Sequence, residues 1–600
     1  MKEGQPQGYI ALTLHAHLPW VVHHGTWPHG LEWLLEAAAE TYLPLLRVLR
    51  NLERDGLTLR ASINLSPVLL EQLAHPTFRA EFPEYLRRKI QAAQEDEFYF
   101  WQSGDEHYAK TARMWRALFE QTLEDFEALG GDIIAGFRRF SDAGLIEVIT
   151  CCATHGYLPL LGTDASVTAQ IKTGVAAHAR HLGRHPRGIW IPECGYRPAG
   201  AWLCPVPPHG SSEPWPTRQR IGIDEAVAAA GLDYCFVDSH LVEQSMLFTP
   251  YQTPDEKRPG GGAAGTPAAL PRSADTARSL YRTYFVDGPS APGRPVTIFP
   301  RDSRTGIQVW SSATGYPGDP HYLDFHKKRW PGGHRYWQVT DDQADASMKT
   351  AYCPDRAMGR VRAHAEHFVS VVYDALRDSL NCGRPPVLSA LFDAELFGHW
   401  WFEGPAWLEQ IARIIAKDEF PIALTTASEY LDAQPAEGSL AIPEGSWGKN
   451  GNNEVWLNPH TAWTWSHIYA AEARVQQVAT EAKRRCGQAA WAEERCAAPL
   501  GCRIAKQMCR ELLLLESSDW QFLITTEAAR NYAEDRFLTH LDQFREVDCA
   551  WQEFLATGSL TPDREQRLSV IEQRDPLFAD IDPNSGPAQI SGFGRHRFRC

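Results

Sequence analysis

The 600-residue sequence has no excess of basic residues. Its 59 lysines and arginines are outnumbered by 74 aspartates and glutamates, which gives a formal net charge of −15. A protein that binds a phosphate backbone needs a basic surface to release counterions, so this balance argues against a nucleic-acid partner. The acidic residues are spread along the chain, which is typical of a soluble cytoplasmic protein.

The sequence also lacks a long hydrophobic run. The N-terminal stretch MKEGQPQGYIALTLHAHLPW has no apolar segment of signal-peptide length. Apolar runs elsewhere, such as Leu512–Leu515, are far too short to span a bilayer. We therefore expect neither a secretory signal nor a membrane partner, and we expect a cytoplasmic location.

Two further motif classes are missing. The 13 cysteines have no framework spacing, and two of them, Cys151 and Cys152, are adjacent, so we expect reduced thiols. No G-x-G-x-x-G or Walker sequence opens a predicted helix, which disfavours a nucleotide-binding sheet.

What the sequence does contain is a regular alternation of short apolar runs with helical patterns. The predicted strands are YIALTLHAH, LRASINLS, LIEVITCCATHG, RGIWIPECG, LDYCFVDSH, VTIFPRDS, VLSALFDAE and PIALTTASEY. Segments with 3.6-residue periodicity lie between most of them. Alternating strands and helices indicate an α/β protein with parallel strands, either an open sheet or a barrel. Polar residues follow the strands at their C-terminal ends, where barrel enzymes place their chemistry.

The strand pattern stops near residue 435. We therefore assign residues 1–435 to a catalytic domain with insertions near 75–140, 198–222 and 240–295, and 436–560 to a helical C-terminal domain. The 240–295 insertion contains RPGGGAAGTPAALPRSAD, which is too poor in large apolar residues to pack. Residues 561–600 are predicted to form an irregular tail.

Two strand ends carry acidic side chains suited to acid–base chemistry. Glu193 follows RGIWIP, and Asp393 ends VLSALF, with Glu395 close behind it. A retaining glycosidase needs one carboxylate as nucleophile and one as acid–base, and two strands facing one pocket can supply both. Spacing alone does not decide between Asp393 and Glu395 as the acid. A structural role at the rim is the alternative for either residue taken alone.

Three histidines leave more than one chemistry open. His15 and His17 alternate along the first strand and so point to one face, and His155 follows the third strand. The three side chains could bind zinc or iron, form hydrogen bonds to sugar hydroxyls, or serve a structural role.

The sequence has 21 tryptophans, and several stand near strand ends or in glycine-rich loops. Trp190, Trp400 and Trp401 are close in sequence to the candidate acids, and Trp310, Trp447 and Trp456 lie in polar or Gly/Asn-rich segments. Aromatic faces match the C–H faces of pyranose rings, so these residues suggest a stacking platform for sugars.

At this point the motifs resemble those of glycoside hydrolase family 57, and within it the 1,4-α-glucan branching enzymes. The resemblance is carried by HAHLPW, LIEVITCCATHGYLPLL, WIPECGY, LFDAELFGHWWFEGP and EGSWGKNGNNEVWLNP. The C-terminal SSDWQFLITTEAARNYAEDRF resembles the helical domain of that branch. The similarity covers most of residues 8–580.

The resemblance implies a distorted (β/α)7 barrel followed by an all-α C-terminal domain, with α-1,4-glucan as donor and acceptor and neither cofactor nor metal. It implies Glu193 as the nucleophile and Asp393 as the proton donor of a retaining reaction. Glu193 should then be ionised and Asp393 protonated, so we expect their environments to push the two pKa values apart. The resemblance also implies a set of substrate-binding residues: Arg301, Gly318, Trp447, Asp519, His15, His17, His155, Trp310, Trp400 and Trp456.

The implied activity is transfer of a glucan chain to a 6-hydroxyl, which forms an α-1,6 branch. Branching members carry a tyrosine in the loop after VD-x-H, and Tyr251 stands at about that offset, although the surrounding sequence differs. An altered lid could favour hydrolysis, so an α-amylase or a 4-α-glucanotransferase of the same family remains an alternative. More distant alternatives are a metal-dependent hydrolase that uses the histidines and a non-catalytic glucan-binding protein.

Overall fold

The computed structural model describes nine stretches of the chain: residues 6–242, 278–286, 295–311, 314–341, 345–380, 383–417, 419–436, 438–486 and 499–582. Tyr251, the lid candidate, lies outside these residues, as does most of the 240–295 insertion. Its proposed role therefore stays a prediction.

All eight strands predicted from the apolar runs are present, together with four short ones that the sequence analysis missed. In chain order the strands of the described residues are β1 Gly8–Ala16, β2 Ser62–Leu65, β3 Glu147–Cys151, β4 Gly188–Trp190, β5 Gly200–Trp202, β6 Arg218–Arg220, β7 Tyr234–Val237, β8 Tyr284–Val286, β9 Thr297–Pro300, β10 Val387–Asp393, β11 Ile422–Thr425 and β12 Ser439–Leu440. The missed strands are β5, β6, β8 and β12, each only two or three residues long, which is too short to show a period-two pattern.

Seven parallel strands form the central sheet, in the order β10-β1-β2-β3-β4-β7-β9. Its two end strands meet at a single parallel bridge between Arg301, just after β9, and Ser389 of β10. There the Asp302 amide donates to the Ser389 carbonyl at 2.9 Å. The strand β11 also pairs with the first half of β1. This is the distorted seven-stranded α/β barrel that the sequence motifs implied.

Helices cover the outside of the sheet, as parallel strands require, because each crossover needs a long connection. They are α1 Leu31–Ala37, α2 Leu43–Arg54, α3 Pro67–Ala74, α4 Pro76–Ser103, α5 Glu106–Ala128, α6 Ile133–Asp142, α7 Asp164–Leu182, α8 Ile223–Ala229, α9 Ser239–Val242, α10 Ser303–Trp310, α11 Pro354–Leu376, α12 Gly404–Ile415 and α13 Ala427–Ala433. A π-helical turn, Ala38–Tyr42, joins α1 to α2. The β1 side chains are buried almost throughout, because helices pack on one face of the sheet and the barrel interior lies on the other.

Beyond residue 461 the described chain is mostly helical. Its helices are α14 Ala462–Cys486, α15 Leu500–Leu515, α16 Ser518–Thr526, α17 Arg530–Thr557 and α18 Pro562–Arg574. The last helix corrects the prediction of an irregular tail from 561 onwards. Pro562 starts α18, and buried Leu568 and Ile571 attach it to the domain, although its composition is too polar to show a clear apolar stripe.

The cysteines depart from expectation at one position. Cys151, Cys152, Cys194, Cys204, Cys235, Cys353 and Cys509 are free thiols. Cys549, on α17, is disulfide-bonded, so the expectation of reduced thiols throughout is wrong. A scattered sequence spacing does not reveal which cysteines pair. In the described part of the chain, no helix is both long and apolar enough to cross a membrane.

Candidate active site

Glu193 stands just beyond the end of β4, on a turn with an unusual backbone. Pro192 begins a 3-10 turn, Pro192–Cys194, and both Glu193 (φ 59°) and Cys194 (φ 49°) have left-handed backbone conformations. Such conformations are costly for residues with a Cβ and concentrate at functional sites. The turn is held because the Trp447 amide donates to the Glu193 carbonyl at 3.0 Å and the Cys194 amide donates to the Ile191 carbonyl at 2.9 Å.

The Glu193 side chain is 15% exposed and is held by an indole. Trp447 Nε1–H donates to Glu193 Oε2 at 2.6 Å. His155 Nδ1 lies 3.9 Å from the other carboxylate oxygen. One oxygen is therefore fixed, while the other faces the histidines.

Asp393 ends β10 and lies directly opposite His15 in the register of β1 and β10. Among the described residues, no side chain or amide within hydrogen-bond distance is assigned to the Asp393 carboxylate. Glu395 differs: its Oε1 accepts hydrogen bonds from the Tyr42 hydroxyl at 2.6 Å and from the His17 amide at 3.1 Å. The Glu395 carboxyl is thus occupied in holding β1 against the helix layer, whereas that of Asp393 is free for a substrate.

Burial dominates the electrostatics of the two candidate acids. It raises the pKa of Glu193 to about 8 and the pKa of Asp393 to about 7. The hydrogen bond from Trp447 opposes the rise in the pKa of Glu193, while the negative charges of Asp393 and Asp519 add to it. The prediction of two separated pKa values, with Glu193 the more acidic, is wrong for the unliganded site, because desolvation raises both pKa values.

The three predicted histidines form one cluster beside these acids. His15 Nε2 and His155 Nε2 lie 3.0 Å apart, and the His17 and His155 ring centroids are 4.1 Å apart. His15 also stacks on Trp190, with centroids 4.7 Å apart and planes 4° apart. Burial lowers the pKa of His15 to about 3, helped by the nearby His17, and holds the pKa of His155 far below its ordinary value. Both rings are therefore neutral, and the N–H of one ring donates a hydrogen bond to the other.

Metal-ligand geometry exists in the cluster, so the metal alternative has a structural basis. One ligand atom each from His17, His155 and Asp519 lies within 4.8 Å of the others, and the same holds for His15, Cys151 and His155. Each imidazole nitrogen of His15 and His155 nevertheless already has a hydrogen-bond partner, since His15 Nδ1 contacts Asn64 Oδ1 at 2.6 Å and His155 Nδ1 contacts Ser518 Oγ at 2.8 Å. The two neutral rings are therefore held within a hydrogen-bond network of protein side chains.

The helical domain reaches into this cluster through the start of α16. Asp519 Oδ2 lies 3.0 Å from His17 Nε2 and accepts from Ser517 Oγ at 2.6 Å. Burial raises the pKa of Asp519, but the charge and hydrogen bond of His17 outweigh this effect, and the pKa lies below its ordinary value. The charge of Asp519 also acts on Glu193, so the site is built from both domains.

Arg301 supplies the positive charge on the opposite side. Its Nη1 donates to Asp238 Oδ2 at 3.1 Å, and its guanidinium lies 5.1 Å from the Trp447 ring centre. The Arg301 charge lowers the pKa of Asp393 against the effect of burial, which places it near both acids. Asp238 is the second residue of the VDSH motif, whose His240 also contacts the Asp238 carboxylate at 3.1 Å.

The predicted stacking tryptophans separate into two groups. Trp310 and Trp400 adjoin, with ring centroids 6.2 Å apart, and Trp400 is 42% exposed. Trp456 is only 1% exposed and stacks on Tyr157 at 4.1 Å, so the prediction that it offers a face to a sugar is wrong. Gly/Asn-rich sequence around a tryptophan does not reveal that another ring covers it.

Gly318 ends a short 3-10 turn, Tyr316–Gly318. The Tyr316 ring of this turn lies 6.3 Å from that of buried Trp401, the neighbour of Trp400. The role of Gly318 in substrate binding stays a prediction.

Sequence reasoning missed three polar residues that hold the histidines. Asn64 contacts His15, Ser66 Oγ contacts His17 Nδ1 at 3.0 Å, and Ser518 contacts His155. Asn64 lies in the second half of β2 and Ser66 directly follows that strand, so the strand-end rule could have found them. Ser518 gave no signal, because it belongs to the helical domain.

Comparison with known proteins gives the same assignment as this geometry. The model of glycosyl hydrolase family 57 matches residues 11–443, more than half of the chain. The chain belongs to glycosyl hydrolase family 57. A second model, described as 1,4-alpha-glucan branching enzyme, C-terminal, matches residues 467–585.

Relatives of this family member resemble it over most of their length. A 1,4-alpha-glucan branching enzyme of Thermococcus kodakarensis is 38% identical over 96% of this chain and 78% of that protein. A probable 1,4-alpha-glucan branching enzyme of Mycobacterium tuberculosis is 30% identical over 97% of this chain and 98% of its own length.

Solved structures of the family superimpose closely. The crystal structure of a branching enzyme from Pyrococcus horikoshii has a TM-score of 0.82 at 36% identity, covering 98% of this chain and 99% of that one. The alpha-amylase AmyC of Thermotoga maritima has a TM-score of 0.76 at 29% identity, covering 97% of this chain and 99% of that one.

Proposed function

We propose that this family 57 enzyme is a 1,4-alpha-glucan branching enzyme. It cleaves an α-1,4 bond of a glucan and transfers the released chain to a 6-hydroxyl of an acceptor glucan. Relatives named as branching enzymes, together with the C-terminal match to that class, support this activity over others of the family. A glycogen-like polymer in the cytoplasm is the proposed substrate.

One structural observation supports the proposed mechanism: Glu193 follows β4 and Asp393 ends β10, and both adjoin the histidine cluster, since Asp393 lies opposite His15 and Glu193 lies 3.9 Å from His155. The negative charge of Asp393 also raises the pKa of Glu193. Glu193 attacks the anomeric carbon while Asp393 gives its proton to the leaving glucosyl oxygen. This step breaks the C1–O bond and forms a covalent glucosyl ester on Glu193. Asp393, now a carboxylate, takes the proton of the acceptor 6-hydroxyl as that oxygen attacks C1 and releases Glu193.

The pKa values alone do not place the proton on Asp393, because burial raises the pKa of both carboxyls. Substrate supplies the asymmetry. Positive charge that develops at the anomeric carbon stabilises the anion of Glu193, which already accepts the indole N–H of Trp447. Negative charge on the leaving oxygen draws the proton from Asp393, whose carboxyl has no competing partner among the described residues.

The remaining residues are proposed to bind substrate. His15, His17, His155 and Asp519 form a hydrogen-bonded network beside the acids, and Arg301 and Trp447 also lie near the acids. The exposed Trp400 and the half-buried Trp310 beside it offer stacking faces for further glucosyl units. Retention of anomeric configuration in the product, followed by NMR, tests the two-step mechanism.

The activity is tested by incubating the protein with linear amylose and counting α-1,6 linkages by NMR. We expect new branches with the unchanged protein and a loss of at least about a thousandfold in Glu193→Gln, because the nucleophile is removed. Glu409→Gln, which changes a carboxylate paired with Arg413 away from the cluster, is a matched control. Reducing ends that rise without new branches would support the second candidate, an α-amylase, which the likeness to AmyC favours.

A further inference from the structure

Two exposed tryptophans that the proposed mechanism does not use lie against each other on the protein surface. Trp27 is 64% exposed and Trp330 is 61% exposed. Their ring centroids are 6.2 Å apart and their planes are nearly perpendicular, at 88°. Large aromatic rings normally lose most of their contact with water on folding, so core packing does not explain two adjoining exposed indoles.

Short loops with internal hydrogen bonds hold both rings. In the loop of Trp27, the Leu31 amide donates to the Gly25 carbonyl at 3.0 Å, and Gly30 approaches Gly25 too closely for any Cβ. In the loop of Trp330, the Arg329 amide donates to the His334 carbonyl at 2.8 Å. Ordered loops lose little conformational freedom when a ligand binds, which favours a binding role for the rings they hold.

The loop of Trp330 is fixed to helix α4 by charged side chains. Lys89 Nζ donates to the Gly332 carbonyl at 3.0 Å, and Arg329 Nε donates to Asp96 at 2.7 Å. The Arg329 guanidinium also lies 4.2 Å from the centre of the Tyr99 ring. The two exposed rings are therefore bordered by polar groups, as a surface that binds both the C–H faces and the hydroxyls of a sugar requires.

Ring contacts link the loop of Trp27 with the segment that carries Asp519. The Tyr532 ring lies 5.4 Å from that of His29, in the same loop as Trp27, and 6.5 Å from that of Trp520, the neighbour of Asp519. The loop of Trp27 therefore packs beside a segment of the helical domain that reaches the active site.

We propose that Trp27 and Trp330 form an accessory binding site for an α-1,4-glucan chain, outside the catalytic pocket. This inference rests on the proposed function, because it takes its ligand from it. A long glucan repeats one unit, so one segment can bind the two indoles while another lies between Glu193 and Asp393. Attachment at the outer site then raises the effective concentration of glucan at the catalytic one.

The test is affinity electrophoresis in native gels with graded concentrations of amylose. All variants carry Glu193→Gln, so that no turnover occurs in the gel. We expect the Trp27→Ala/Trp330→Ala double variant to bind amylose about tenfold more weakly than its parent, and the Trp27→Phe/Trp330→Phe variant to recover part of the loss. Trp101→Ala is the matched control, because Trp101 is 62% exposed and has no ring contact with either tryptophan among the described residues.

Three results would overturn the inference: equal binding by the alanine double variant and its parent, an equal loss in Trp101→Ala, or no retardation of the parent. The branch count on amylose separates these failures from failure of the proposed function, since it uses the protein with Glu193 intact. Analytical ultracentrifugation adds one further contrary result. If the double substitution dissociates a dimer of the parent and leaves amylose affinity unchanged, the surface joins two copies of the chain.

Discussion

At the scale of single residues, Glu193 shows how a backbone turn and a side chain act together. Glu193 comes directly after a strand of three residues and a proline. Its left-handed backbone conformation directs the carboxylate toward His155 and Asp393 rather than along the sheet. Burial then makes the carboxyl a weak acid. A carboxyl pair that holds one proton near neutral pH can supply an anion and an acid at the same time.

The pKa values predict a bell-shaped pH profile for kcat/KM. Below about 7 both Asp393 and Glu193 are protonated and the nucleophile is lost, and above about 8 neither holds a proton and the acid is lost. Activity should therefore peak between these values and fall on either side. Branch formation measured from pH 5 to pH 10 at limiting amylose checks this. A profile that stays flat from pH 5 to pH 9 would contradict the pairing.

At the scale of elements, the loop from Gly445 to Leu457 matters as much as any strand. It carries Trp447 to Glu193 and pairs with the segment after β4 through a bridge between Tyr196 and Gly445. Trp456, buried under Tyr157, anchors the loop. The two tryptophans therefore differ in role, although the sequence presents them alike.

Trp447→Phe tests the role of this loop. The ring that packs 5.2 Å from Trp190 is kept in part, but the N–H donor to Glu193 is lost. Because that hydrogen bond lowers the pKa of Glu193, its loss should move the basic limb of the pH profile to higher pH and reduce kcat/KM by about tenfold or more.

Trp456→Phe is the matched control, since Trp456 Nε1 has no hydrogen-bond partner within the described residues. It should leave the limb in place. A shift of equal size in both variants would show that the loop acts only through packing.

At the scale of the whole molecule, the site lies where the barrel meets the helical domain. The two family models divide the chain at residues 443 and 467, yet the histidines of the barrel depend on Ser518 and Asp519 of the other part. Arg536, on α17, strengthens the junction by donating to the Trp20 carbonyl at 2.6 Å. We therefore expect catalysis to require contact between the two parts.

Asp519→Asn tests the contribution of the helical domain. The negative charge of Asp519 raises the pKa of Glu193, so its removal should move the basic limb of the profile to lower pH, opposite to Trp447→Phe. Loss of the pair with His17 should reduce kcat/KM by about tenfold or more.

Asp563→Asn provides the control for Asp519→Asn, because Asp563 forms an exposed pair with Arg567 on α18. It should change neither property. An unchanged pH profile in Asp519→Asn would remove the helical domain from the electrostatics of the site.

The sequence by itself determined the eight strands, the polar groups at their ends and the two candidate acids, because periodicity and strand-end position are local properties. The resemblance to the family also predicted the seven-stranded barrel and a substrate-binding role for Asp519. Only the tertiary structure distinguishes Asp393 from Glu395. It also buries Trp456, leaves Trp27 and Trp330 exposed, and raises the pKa values of both candidate acids. These outcomes depend on which side chains from distant segments exclude water from one another, and no local pattern encodes that.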